Sequence, residues 1–73
     1  MNQPMLKADH VIKSLKRHGF NVICQKGSHI RMHHKDGRVT TVSSHSGQDI
    51  GKGLLRKIFR DTELTMAELT LES

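Results

Sequence analysis

The sequence predicts an α+β domain of the order helix, three antiparallel strands, helix and short C-terminal helix, with the helices on one face of the sheet. Three observations carry this. An apolar stripe spaced by threes and fours opens the chain, two-residue alternation replaces it after Gly19, and helical spacing returns beyond Gly51.

Ala8, Val11, Ile12 and Leu15 form the first stripe, with Lys7, Asp9, His10, Lys13, Lys16 and Arg17 between them, so Ala8–His18 reads as an amphipathic helix. Gly19 is its stop. Phe20–Gln25 then alternates, which puts Phe20, Val22 and Cys24 on one side and Cys24 in the core. Lys26-Gly27 reads as a turn, and Ser28–His34 as a second strand with Ile30 and Met32 inward and His29, Arg31 and His33 outward. The Asp36-Gly37 pair within Lys35–Arg38 favours a tight hairpin that returns Val39–Val42 antiparallel. Ser43–Gly51 is loop by composition and contains His45. Leu54, Leu55, Ile58 and Phe59 give a second amphipathic helix from Lys52 to Asp61, and Thr65-Met66-Ala67-Glu68 fits a capping box opening a short third helix to about Leu71. Two helices with one apolar stripe each pack most simply on the same sheet face and leave the other open.

The chain has 73 residues, enough for one small domain over 1–73, with residues 1–7 expected to be flexible. Trp and Tyr are absent and Phe occurs twice, so the core must be aliphatic and thin, and aromatic platforms for stacking bases are excluded. Lys and Arg outnumber Asp and Glu by 12 to 7, a net +5 that favours an anionic partner, usually nucleic acid or an acidic protein surface. The charge is uneven. From Lys7 to Arg38 eight basic residues face Asp9 and Asp36, a balance of +6, whereas from Val39 to Ser73 four face five acids, a balance of −1. Cys24 is the single cysteine, which excludes an internal disulfide and a redox CxxC pair. No apolar leader and no run of about 20 apolar residues is present, so a cytoplasmic, membrane-free protein is expected.

The residues with the most chemistry are Lys26-Gly27-Ser28-His29 and Arg31. Alternation places His29 on the open sheet face beside Arg31, and an exposed imidazole among cations is available as a base near neutral pH. RNA carries its own nucleophile in the 2′-hydroxyl, so one base plus cationic stabilisation of the phosphorane suffices for cleavage without metal. A surface histidine in a basic hairpin is the plainer reading of the same pattern. Metal binding is disfavoured by spacing: His29 and His33 lie about 13 Å apart on a strand, at about 3.3 Å per residue, and His33 and His34 face opposite sides. His10 and His18 read as solvated, and His45 as a loop residue able to close over the open face. Lys26, Arg31, Lys52, Arg56 and Lys57 are the candidate phosphate contacts.

Gly19-Phe20, Lys26-Gly27-Ser28-His29-Ile30-Arg31-Met32, Asp36-Gly37-Arg38, His45 and Gly53-Leu54-Leu55-Arg56-Lys57-Ile58, in this order over about residues 8 to 69, resemble the HicA family of mRNA interferase toxins. The resemblance implies a fold like the double-stranded-RNA-binding domain and a toxin that cleaves mRNA. It further implies neutralisation by a HicB-type antitoxin and a catalytic histidine after the Gly-Ser pair, here His29. With it, Lys26, Ser28, Arg31, His45, Lys52 and Arg56 become the expected RNA contacts, with no cofactor. Where many members have Pro before the loop histidine and Gly ahead of the last helix, this chain has Ser44 and Glu63, changes that bear on loop geometry more than chemistry. The alternatives from other classes are a non-catalytic RNA-binding module using the same basic face, and a purely structural partner domain.

Overall fold

The computed structural model describes residues 6–43 and 49–70. The elements are α1 (Ala8–Arg17), β1 (Phe20–Lys26), β2 (His29–His34), β3 (Val39–Ser43), α2 (Lys52–Thr62) and α3 (Met66–Thr70). The strands form one antiparallel sheet in the order β1-β2-β3, so the expected α-β-β-β-α arrangement with a short last helix is what the chain adopts. The expected loop histidine, His45, and Ser44 lie outside the described residues, as do Met1 to Met5 and Leu71.

Helix α1 follows its predicted stripe, burying Ala8, Val11 and Leu15, with one addition: Ser14 is buried as well. Its hydroxyl donates to the Leu69 carbonyl at 2.7 Å, which ties α1 to α3 without leaving a polar atom unpaired. The helix ends one residue earlier than predicted, at Arg17, and Gly19 turns the chain at φ 93°. Glycine is required there twice over, because a Cβ would also stand 2.7 Å from His34 Nε2. His10 and His18 are half-buried rather than solvated; His18 Nδ1 donates to the Ser14 carbonyl at 2.9 Å, closing the last turn of the helix.

The core lies between the helices and one sheet face. Val11, Leu15, Phe20, Met32, Val42, Ile58 and Leu69 are fully buried there, while Phe59, expected in the core, is half-buried. Leu6 is buried against the same cluster and Lys7 pairs with Asp49 at 3.2 Å. Thr65 and Glu68 form the capping box as predicted: the Glu68 amide donates to Thr65 Oγ1 and the Thr65 amide to Glu68 Oε1. That amide bond, together with the Thr65 hydroxyl, holds the Glu68 carboxyl below its ordinary range.

The main departure from expectation is in β1. Val22 pairs with Met32 but Cys24 pairs with Arg31, so Ile23 is an extra residue, a β-bulge. Beyond a bulge, every side chain changes face. Cys24, expected in the core, is therefore exposed on the open side of the sheet. The strand also runs on to Lys26, and the turn is Gly27-Ser28 rather than Lys26-Gly27. Gly27 at φ 55°, followed by a residue of ordinary φ, has the sign pattern of a two-residue II′ hairpin loop.

Candidate nucleic-acid interface

The open sheet face is built from three cross-strand rows. Lys26 stands opposite His29 and His29 opposite Ser43; Cys24 stands opposite Arg31 and Arg31 opposite Thr41; Asn21 stands opposite His33 and His33 opposite Val39. Directly opposed residues on antiparallel strands share a face. Cys24, Lys26, His29, Arg31 and Thr41 accordingly line one shallow depression of about 270 Å³. Ser43 Oγ lies 3.4 Å from His29 Nδ1, a long contact that marks which side of the ring faces β3.

The electrostatics of this face follow from composition. None of the three strands contains an Asp or Glu. Neither Lys26 nor Arg31 pairs with an acid among the described residues, so both charges stand open beside the imidazole. Arg38 contributes differently. Its Nε bonds both Asp36 oxygens, its Nη1 donates to the Thr62 carbonyl at the end of α2, and its guanidinium lies 5.2 Å from the Phe20 ring centre. One of the eight basic residues of the first half is thus a strut between the β2–β3 turn and α2. The Arg38 amide and guanidinium hold the Asp36 carboxyl below its ordinary range.

Of the expected RNA contacts, Lys26 and Arg31 join His29, and Ser28 sits half-buried in the turn immediately before it. Lys52 and Arg56 do not join them. They line a separate hollow with Leu55 and Phe59 on α2, in the helical layer that covers the other side of the sheet. Lys57, the remaining candidate cation of that helix, is taken up by Asp61 at 2.7 Å. His34 faces the core side, its ring edge-on to Phe20 with centroids 5.1 Å apart. Among the described residues no three His, Cys, Asp or Glu side chains gather as a metal-ligand group.

Cys24, Thr41 and Ser43 were not singled out by sequence reasoning, yet all three border His29. Thr41 and Ser43 are reachable by counting forward from the Asp36-Gly37 hairpin. For Cys24 the signal was a conflict of parity: counting forward from Phe20 places it inside, counting back from the Gly27-Ser28 turn places it outside. Both counts hold at their own end because one residue, Ile23, is unpaired between them.

A sequence model described as the HicA toxin of bacterial toxin-antitoxin matches residues 8–64, from the start of α1 through the whole sheet and α2. No curated protein matches the chain. Among the described residues no helix is long and apolar enough to cross a membrane. The match spans most of the chain and covers every residue of the open face described above, and the chain belongs to the HicA toxin family of bacterial toxin-antitoxin systems.

Proposed function

We propose that this toxin is a metal-independent endoribonuclease acting on mRNA, with His29 as its catalytic base and acid. The observation that carries the reading is the placement of one imidazole between two unneutralised cations, Lys26 and Arg31, on a sheet face free of acids. In the tautomer that carries its proton on Nδ1, facing Ser43 Oγ, Nε2 has the lone pair that takes the proton of an RNA 2′-hydroxyl. The 2′-oxygen then bonds to the adjacent phosphorus, the bond from phosphorus to the 5′-oxygen breaks, and that oxygen takes the proton back from the imidazolium. A 2′,3′-cyclic phosphate and a 5′-hydroxyl result. Lys26 and Arg31 stabilise the extra negative charge on the phosphorane and hold the flanking phosphates. The shallow face suits a single strand, whose backbone can lie along the rows without a groove to enter. mRNA as substrate, a HicB-type antitoxin as partner and the cytoplasm as the place of action follow from the family reading.

The test is cleavage of an mRNA in EDTA by wild type and His29→Ala. General acid–base catalysis is worth about 10² to 10⁴ in rate, so the variant should lose at least about a hundredfold in cleavage while binding RNA as before. Fragments should carry 5′-hydroxyl ends. RNA that stays intact but bound with wild type would remove the enzyme and leave the RNA-binding module. Loss of cleavage on adding EDTA would remove metal independence.

A further inference from the structure

We infer that the outer edge of β1 is the docking strip for the toxin's antitoxin, which adds an extended strand of alternating aliphatic and acidic residues to the sheet there. β1 pairs with β2 alone, and among the described residues no other backbone segment bonds to its outer side. The backbone donors and acceptors of β1 that point away from β2 are thus left without a strand partner along this seven-residue edge. The same strand carries Val22 and Ile23, 41% and 55% exposed, the exposed large hydrophobics of the described residues. Every other large aliphatic there is buried or half-buried, so this consecutive pair on an open edge marks a surface that water does not complete.

Charge chooses the occupant. The sheet holds no acid, while Lys26 closes β1 and Arg31 faces Cys24 across it. Main-chain pairing supplies affinity to any added strand, but only one with acidic residues toward Lys26 and Arg31 complements this one. A second copy of this chain is disfavoured on the same ground, since pairing two copies would bring two chains of net +5 together. RNA has little to offer Val22 and Ile23. The bulge at Ile23 and the lysine at the strand's end are features that hinder indiscriminate edge pairing. A strand seated here borders Cys24 and Lys26, which line the depression around His29, so docking would block RNA as well. That consequence rests on the ribonuclease reading; the docking itself does not.

The experiment uses the full chain with His29→Ala, co-expressed with the antitoxin encoded beside it and purified as the complex. Amide hydrogen exchange is compared between free and bound toxin. Exchange over Phe20–Lys26 should slow on binding by about tenfold or more, as newly paired edge amides do. Ile23→Asp, at an exposed position outside the RNA face, should weaken the complex about tenfold and leave RNA cleavage by the chain with His29 restored unchanged. Protection confined to the helices, no complex with that antitoxin, or unaltered affinity of Ile23→Asp would overturn the inference. β1 protection that grows with toxin concentration alone would replace the antitoxin by a second copy and overturn it too. Cleavage is scored separately on free wild type: β1 protection without any cleavage would sink the nuclease and leave the docking strip standing.

Discussion

Glu63 closes α2 in the left-handed region, at φ 61°, its amide bonded to the Phe59 carbonyl. An L-residue there crowds its Cβ against the backbone at a cost of about 1–2 kcal/mol, which glycine avoids while losing part of the gain to its greater freedom when unfolded. The side chain is exposed and no bond involving it is found among the described residues. Glu63→Gly should therefore stabilise the fold by about 0.5–1 kcal/mol, read as a higher urea midpoint at unchanged slope. A lower midpoint would mean the carboxylate contributes more than the strain removes. Ser14 illustrates the opposite case, a polar residue inside that is fully satisfied. Ser14→Ala leaves the buried Leu69 carbonyl without its donor and should cost about 1–2 kcal/mol, with faster amide exchange in α3. If α3 exchange is unchanged, that helix is held by Leu69 packing alone.

Among the elements, α2 is joined to the sheet by polar links as well as by its apolar stripe. Thr40 on β3 donates to Asp61 at 3.1 Å and Lys57 donates to the same oxygen at 2.7 Å. Partial burial pushes the Asp61 carboxyl up, but these two bonds outweigh it and leave the group below its ordinary value of 3.8. A depressed carboxylate contributes stability that is present above its unfolded value and lost as pH falls toward its folded one. Asp36 and Glu68 are shifted in the same direction, so stability should fall with acid below the carboxylate range. Asp61→Asn should be less stable than wild type at neutral pH, and the gap should close as pH drops through 3.8 and below. Thermal midpoints of the two chains across that range are the measurement; a constant gap would show that Asp61 acts through shape, not charge.

For the molecule as a whole, function depends on where the net +5 is left unpaired. Arg38 and Lys57 are tied to acids within the fold, and Lys52 and Arg56 stand on the helical side, so Lys26 and Arg31 carry the field of the open face. On the ribonuclease reading proposed above, RNA affinity should fall linearly on a logarithmic salt scale, with a slope of about −0.7 per phosphate neutralised on a single strand. Arg31→Ala should reduce that slope by about one such contact and weaken binding with the fold intact, because Arg31 is exposed on the sheet and outside the core. Lys52→Ala and Arg56→Ala should change it less. Anisotropy titrations at several salt concentrations decide this, and a slope untouched by Arg31→Ala would move the phosphate contacts to α2.

The amino-acid sequence alone determined the kinds of element and their order, because the periodicities of Ala8–Leu15, His29–His34 and Leu54–Phe59 arise from contacts within a few residues of each other. It also placed His29 and Arg31 on the outer face, since Ile30 and Met32 have to be inside, and it specified the Thr65–Glu68 box, which is wholly local. Tertiary structure decided the rest. Whether Cys24 lies in the core or beside His29 depends on the register of β1 against β2, settled by a single unpaired Ile23 that no property of residue 23 announces. Whether Lys52 and Arg56 share a face with His29 depends on which side of the sheet α2 packs. Whether Arg38 meets solvent or the end of α2 depends on two elements 24 positions apart. In each case the deciding contact joins segments distant along the chain, and no local pattern of side chains encodes the distance between them.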